Sequence, residues 1–436
     1  MAGPEREPRG DETLPISSPV EPLDEADRAL GRRLAIVSHP AGNAFAIALT
    51  EYLPTIALLA LGAGETLVGG QSAIKTGANL LQLPTLRRVA RIPKRTILTR
   101  GHLLAVLGML PLLAFAPLRE AAEAGANWPA WVAFVSLAIV SAGISISNTV
   151  WFPMLRAYVD PARIGRFFGL LRSGWSAVLI AFYLGAAYWL SRAPGDFTPL
   201  FGVIFALGIL RFLLISRMPE QSELTDQGIR VREAFALVRE SPPLRRLLAT
   251  VSTGHALRAS VLPFALVMLR REVGFSDAQL LTTTIATFSG GLVSLYFWGQ
   301  VIDRHGAAVV FRGTSIGLAA LTSSLIVLSR MSEYAFAGAL LFFFFYAILA
   351  AGFGMADTHV LFKLTPVEAP ARTLVAAAVS VAVVAAIVPL AAGVGLELGL
   401  RSAPDRLLVY HAFFVIAAIV QAVNWWPTRI FGPDHD

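Results

Sequence analysis

The chain has 436 residues, of which 55% are hydrophobic and only 15% are charged. Soluble domains average about 45–50% apolar and about 25% charged residues, so this composition indicates a protein that crosses a membrane several times. There are no cysteines, which excludes disulfides, thiolate nucleophiles and cysteine metal ligands. A net charge of +7 in such a protein more often reflects its orientation in the membrane than a nucleic-acid partner.

Residues 1–33 differ in composition from the rest of the chain. They are rich in proline and acidic residues and poor in large apolar ones, which predicts a disordered tail. No short basic segment leads into an apolar stretch here, so no cleavable signal peptide is predicted.

Twelve apolar segments follow, each close to the roughly 20 residues that a membrane-spanning helix needs. The segments are 38–60, 66–86, 101–118, 129–155, 167–190, 197–217, 247–269, 277–300, 308–329, 334–362, 373–396 and 405–427. The longest polar interval falls after the sixth segment. We therefore predict a six-helix bundle at 34–217, a cytoplasmic linker at 218–246, a second six-helix bundle at 247–427 and a cytoplasmic tail at 428–436.

The basic residues predict the orientation. If the N-terminus is cytoplasmic, the cytoplasmic loops and tails hold 25 lysines and arginines, whereas the outer loops hold 7. This asymmetry satisfies the positive-inside rule. We therefore predict an integral protein of the plasma (inner) membrane with both termini in the cytoplasm.

The two halves contain related stretches. The sequence SNTVWFPMLRAYVDPAR at 147–163 is similar to ADTHVLFKLTPVEAPAR at 356–372, and TRG at 99–101 is similar to FRG at 311–313. The two offsets are nearly equal and the topological positions are equivalent, which indicates duplicated halves. Such repeats are typical of secondary transporters, whose halves move about a site near the membrane midplane.

The sequence GQVIDRHG at 299–306, after the eighth segment, resembles the Gly-x-x-x-Asp-Arg-x-Gly motif of the major facilitator superfamily. The loop VDPARIGRFFGL at 159–170 is similar to the family's stretch between helices four and five. LRRVARIPKR at 86–95 keeps only the basic charge of the first-half motif. The resemblance implies an all-α fold of twelve transmembrane helices in two pseudo-symmetric six-helix bundles. It also implies a central cavity and alternating access.

Glu51 and Lys75 interrupt the first two segments, and charges at membrane depth are costly enough to be functional candidates. Each lies about 12 residues from the outer turn near Ala63, so at ~1.5 Å per residue both lie ~18 Å below that turn. We therefore predict an ion pair between them. It is either structural, or it is a coupling switch in which the proton affinity of Glu51 depends on whether Lys75 or a solute is its partner.

Arg258 lies near the middle of the seventh segment, and His255 lies almost one turn before it. A guanidinium at the midplane binds carboxylate or phosphate through two parallel hydrogen bonds, which favours an anionic or zwitterionic solute. Alternatively, Arg258 pairs with a buried acid such as Glu51, and His255 is a hydrogen-bonded packing residue. The predicted substrate or coupling residues are Glu51, Lys75, Arg258 and His255.

Two further groups of residues have predicted conformational roles. Asn148, Asp357 and His359 lie near the cytoplasmic ends of segments four and ten and are predicted to form an inner gate, with no spacing that requires a metal. The resemblance implies a latch in which Asp303 reaches across the interface to the start of helix five, where a helix N-terminus favours an anion. Its residues are Gly299, which would permit close helix approach, Gly306, which would permit a tight turn, and Asp303, Arg304, Arg163 and Arg166.

These features predict a secondary transporter for a small solute, with protons as a candidate coupling ion. The alternative is a transporter-like protein that serves as a non-transporting assembly or sensor component of a membrane complex. The intramembrane charges favour transport, because a scaffold gains little from them. There is no P-loop, His-Glu-x-x-His or Gly-x-Ser-x-Gly motif, so we predict neither an enzyme nor ATP-driven transport, and neither a cofactor nor a metal site.

Overall fold

The computed structural model describes residues 23–89, 92–159, 164–220, 236, 238–365 and 370–431. Within these ranges all regular structure is helical, which confirms the predicted all-α class. The helices of the first half are α1 Glu25–Ala48, α2 Tyr52–Ala60, α3 Glu65–Gly77, α4 Gln82–Val89, α5 Lys94–Gly108, α6 Leu110–Leu113, α7 Phe115–Glu123, α8 Trp128–Tyr158, α9 Ile164–Arg192 and α10 Thr198–Ile215. Those of the second half are α11 Pro242–Arg271, α12 Asp277–His305, α13 Ala307–Leu328, α14 Ala335–Lys363, α15 Pro370–Ser402 and α16 Arg406–Val423.

Nine helices in the described ranges are long and apolar enough to cross a membrane, and the number rises to eleven if each of two bent pairs is one span. One bent pair is α1 with α2, at 43°, and the other consists of the two parts of α12, at 46°. These eleven correspond to all the predicted segments except the second, 66–86. That segment is divided between α3, a 3₁₀ turn at Ala78–Leu81 and α4, and α3 has only 13 residues, including Glu65 and Lys75.

Two predicted boundaries are wrong where the structure describes them. Helix α1 begins at Glu25, so 25–33 are helical and not part of a disordered tail; the Asp24 side chain caps this helix by accepting from the Asp27 N–H at 2.6 Å. An N-cap and a helical first turn offset the polar composition of these residues. Helix α11 likewise begins at Pro242, inside the predicted linker, after the cap at Ser241. Residues 1–22, 221–235, 237 and 432–436 lie outside the described ranges.

The two halves meet most extensively where α3 lies against α15. Their backbones approach so closely that a Cβ atom at Gly69 would overlap the Pro389 carbonyl, and one at Gly393 would overlap the Glu65 carbonyl. Small residues at such positions allow helices to pack tightly in a membrane. This packing fixes α3, with Glu65 at one end and Lys75 at the other, against the second half.

Candidate functional site

The first predicted span is interrupted next to Glu51. Helix α1 ends at Ala48, α2 begins at Tyr52, and Glu51 has the non-helical backbone angles φ −97° and ψ −126°. Pro54 explains the break, because it lacks the N–H that would bond to the Thr50 carbonyl and its ring would crowd that carbonyl. Non-helical backbone at membrane depth is tolerated where it lines a cavity or is buried in protein. The break therefore presents Glu51 to the centre of the molecule.

Two adjoining cavities lie between the halves at this point. The first has a volume of about 250 Å³ and is lined mainly by residues around α2, α3 and α11. The second has a volume of about 360 Å³ and extends to α9, α12 and α14. Glu51, Tyr52 and Arg258 line both, so the two cavities meet at these side chains. We refer to them together as the central cavity.

Glu51 and Lys75 form an ion pair in the wall of the central cavity. The Lys75 Nζ lies 2.6 Å from the Glu51 Oε1, and the two side chains are 35% and 29% exposed. The equal depth expected from the helical rise thus brings the opposite charges together. Because both side chains are reached from the cavity, a ligand has access to either partner.

Arg258 and His255 also line the central cavity, on α11. Both side chains are accessible, and no ion pair joins Arg258 to an acid within the described residues. The structure therefore does not contain the alternative arrangement, a direct ion pair between Arg258 and Glu51. The charged side chains in the described wall are Glu51, Lys75 and Arg258, which leaves an excess of one positive charge.

Neutral polar residues that were not predicted from the sequence complete the wall. Thr55, Gln71 and Ser72 all line the first cavity. For two of them the spacing was a usable signal, because residues three or four positions apart share a helix face. Gln71 and Ser72 precede Lys75 on α3 by four and three positions, whereas Thr55 is separated from Glu51 by the helix break and had no such signal.

A buried carboxylate joins the halves at the predicted outer face. Glu65, only 3% exposed, accepts hydrogen bonds from Arg271 Nη1 at 2.5 Å and from the Tyr410 hydroxyl at 2.6 Å. The second Arg271 nitrogen, Nη2, donates to the Ala63 carbonyl at 2.5 Å. We call Ala63, Glu65, Arg271 and Tyr410 the outer cluster. It joins the first half to the second at the start of α3.

The outer cluster was not predicted from the sequence either. Glu65 stands in the first turn of α3, where an acidic residue is an ordinary helix-start signal. Its partners lie more than 200 positions away in the chain, and only packing brings them near.

The residues of the predicted inner gate lie on separate helices, Asn148 on α8 and both Asp357 and His359 on α14. Asn148 is exposed, and the other two are half-buried. No hydrogen bond or ion pair joins Asn148 to either of them in the described part of the chain. The described residues contain no group of three or more potential ligands that could hold a metal ion.

The predicted latch is only partly described. Arg163 and the side chain of Arg166 lie outside the described residues, while Asp303 and Arg304 are exposed at the end of α12. Gly306 has φ +77°, and its N–H donates to the Ile302 carbonyl at 2.9 Å, so it forms the tight turn expected of it.

The expected role of Gly299 in close helix approach is wrong. A Cβ atom there would lie 3.7 Å from Met355 Cε, which is ordinary van der Waals contact. The close approach on this helix occurs at Gly290, where a Cβ atom would overlap the Phe344 carbonyl. The physical reason is that the end of the Met355 side chain, and not a backbone, faces Gly299.

The sequence matches no protein-family model and no curated protein. Its backbone is similar to a bacterial homologue of the iron transporter ferroportin in its inward-facing state, with 16% identity, a TM-score of 0.68, and coverage of 92% of this chain and 98% of that one. A bacterial ferroportin homologue in the outward-facing state has 18% identity and a TM-score of 0.52, with coverage of 93% of this chain and 100% of that one. The nucleoside transporter NupG has 12% identity and a TM-score of 0.67, with coverage of 93% of this chain and 98% of that one.

This protein has the major facilitator superfamily fold. It is therefore an integral membrane protein whose structural neighbours are transporters, not enzymes. Those neighbours carry chemically different solutes, so the solute has to be inferred from the side chains that line the cavity.

Proposed function

We propose that the protein is a secondary transporter that moves a small anionic or zwitterionic solute through the central cavity by alternating access. One observation carries this proposal: Arg258, with no ion-pair partner among the described residues, faces a cavity between the two halves beside the Glu51–Lys75 pair. An intramembrane guanidinium without a direct ion-pair partner is costly to maintain. A solute carboxylate that binds it bidentately would lower that cost.

The Glu51–Lys75 pair has a role in this scheme. A solute ammonium group would compete with Lys75 for the Glu51 carboxylate, while the solute carboxylate binds Arg258. A proton on Glu51 would release Lys75 in the same way, which makes protons the candidate coupling ion. The observed access to both partners from the cavity supports this role over a purely structural one.

We further propose that the structure is the inward-facing state, with both termini in the cytoplasm. The outer cluster holds the two halves together at the start of α3, which we take as the closed outer end of the central cavity. The TM-score is 0.68 against the inward-facing ferroportin homologue and 0.52 against the outward-facing one, which supports the same assignment. The conformational change would separate Glu65 from Arg271 and Tyr410. It would also bring together the proposed inner gate of Asn148, Asp357 and His359, as well as the latch between Asp303 and the arginines at the start of α9.

The experiment is a thermal-shift screen of the purified protein against small carboxylates and amino acids, followed by uptake into liposomes. We expect Arg258→Ala to weaken binding of the stabilising solute by about 10- to 100-fold, the loss expected for one charge-assisted contact. Arg246→Ala is the matched control, because Arg246 is exposed on the same helix and does not line the cavity. Equal binding by Arg258→Ala and wild type would contradict the proposal, and binding without any flux would favour the assembly or sensor alternative.

A further inference from the structure

A smaller cavity lies inside the second half, beside the central cavity. Its volume is about 60 Å³, and residues on α11, α13, α14 and α16 form its walls. His255 and Arg258 line both this cavity and the central one, so the two are neighbours across these side chains. We call the smaller cavity the annex.

The walls of the annex include polar side chains that are almost completely buried. Ser315, Tyr346 and Gln421 are 2%, 1% and 4% exposed. The Gln421 Oε1 accepts a hydrogen bond from the Thr322 hydroxyl at 2.7 Å, and its Nε2 donates to the Tyr346 hydroxyl at 3.4 Å. These contacts from α13 and α14 hold the amide in a fixed orientation.

Two polar side chains in this wall, Gln421 and Ser315, have hydrogen-bonding groups that no described residue satisfies. A side-chain amide has two donor hydrogens and two acceptor sites, and the bonds to Thr322 and Tyr346 use one of each. The Ser315 hydroxyl oxygen is buried and has no hydrogen-bond partner within the described structure. Buried polar groups are almost always paired, so the annex is suited to a polar occupant that both donates and accepts.

The charge of the annex lining and the volume of the annex further restrict which chemical group can occupy it. No carboxylate appears among the described residues that line the annex, and Arg258 is their only permanent charge. At about 60 Å³ the annex has about a quarter of the volume of the first part of the central cavity, about 250 Å³, so it suits one small group and not a complete solute. A hydroxymethyl or carboxamide group is small and neutral, whereas a complete carboxylate solute is larger and charged.

We propose that the annex is a subsite that receives a neutral hydroxyl or carboxamide group of the solute, while the solute's carboxylate binds Arg258 from the central cavity. This inference rests on the function proposed above and narrows the solute to small carboxylates, with or without an amine, that carry such a group. The guanidinium has five N–H donors in a planar fork, so it can contact groups in both cavities at once.

The test is isothermal titration calorimetry of the full chain in lipid nanodiscs with pairs of probes that differ in one polar group: L-homoserine with L-norvaline, L-glutamine with L-norleucine, and 3-hydroxypropionate with butyrate. We expect the polar member of at least one pair to bind at least about tenfold more tightly. Gln421→Leu should reduce that preference to about threefold or less and leave the affinity of the apolar member within about twofold. Tyr346→Phe, which removes a single hydroxyl, is the second variant if Gln421→Leu does not fold.

Ser324→Ala is the matched control, since Ser324 lies on α13 outside the annex and its hydroxyl donates to the Leu321 carbonyl at 2.7 Å. It should keep the preference. A preference that is absent in the wild type, or that survives both annex variants, would overturn the subsite and leave only water there. If Arg258→Ala still weakens both members of a pair in that case, the proposed transport function stands. Binding that never depends on Arg258 would overturn the transport proposal and the subsite together.

Discussion

Replacing Glu65 with glutamine should open the protein toward the predicted outer face. Glu65 belongs to the first half, whereas Arg271 and Tyr410 belong to the second. The Glu65 Oε1 accepts from both, at 2.5 and 2.6 Å, in a side chain that is 4% exposed. These contacts exist only while the outer ends of the halves are together, so they stabilise the closed state selectively.

The size of the effect follows from these two bonds. Hydrogen bonds to a charged group contribute about 1.5–3 kcal/mol, and neutral ones contribute about 0.5–1.5 kcal/mol. Glu65→Gln keeps the shape and an acceptor oxygen but removes the charge. The bond from the Tyr410 hydroxyl becomes a neutral one and loses about 1 kcal/mol, and the bond from Arg271 keeps its charged donor but loses the ion-pair attraction, about 1 kcal/mol more, so the total loss is about 2 kcal/mol. Solvent screening is small because Glu65 is buried. A shift of about 2 kcal/mol multiplies the ratio of outer-open to outer-closed molecules by about 30.

The assay uses the absence of native cysteines, which makes any introduced thiol unique. Ala259 lines the central cavity, and Ala259→Cys would react with a membrane-impermeant maleimide supplied from outside only when the outer cluster is open. We expect Glu65→Gln to raise the labelling rate by about 10- to 30-fold.

The matched control for this assay is Glu272→Gln. The Glu272 Oε1 accepts from Arg406 Nε at 3.1 Å near the same face, but both residues belong to the second half, so breaking this pair should leave the labelling rate unchanged. Equal rates in the Glu65→Gln and Glu272→Gln backgrounds would refute the reasoning.

Three other outcomes are expected. Glu51→Gln and Lys75→Gln should each lower thermal stability, and the double-mutant cycle should give a coupling energy of about 1–3 kcal/mol between the two residues. If the pH dependence of transport is unchanged in Glu51→Gln, the coupling switch is excluded. Gly393→Val should impair folded yield because of the close backbone contact with α3, whereas Gly395→Val, with open space around it, should not; equal yields would mean that this contact is dispensable. Gly306→Ala should destabilise by about 1 kcal/mol in chemical denaturation because of its positive φ, and no loss would mean that the turn relaxes freely.

The sequence by itself determined the membrane class and the all-α fold. It also determined the positions of nine of the twelve expected spans in the described residues, or eleven if each bent pair is one span, because hydropathy is a local property and a helix satisfies its own backbone in lipid. The equal depth of Glu51 and Lys75 followed from the rise of the helix alone. The second segment was the exception, since α3 carries Glu65 and Lys75 and is stabilised by its packing against α15 and not by its own hydropathy.

Only the tertiary structure decided which polar residues share a cavity and which of them join the two halves. Glu65 meets Tyr410 at a separation of 345 positions, and Gln421 meets Thr322 at a separation of 99. Each pairing depends on how distant helices pack, which no local pattern encodes. Arg258 was recognisable as a costly intramembrane charge, but its position between the central cavity and the annex depended on the other helices that line the two cavities. A buried charge can therefore be found from its immediate neighbours in the sequence, whereas its partner is set by the whole fold.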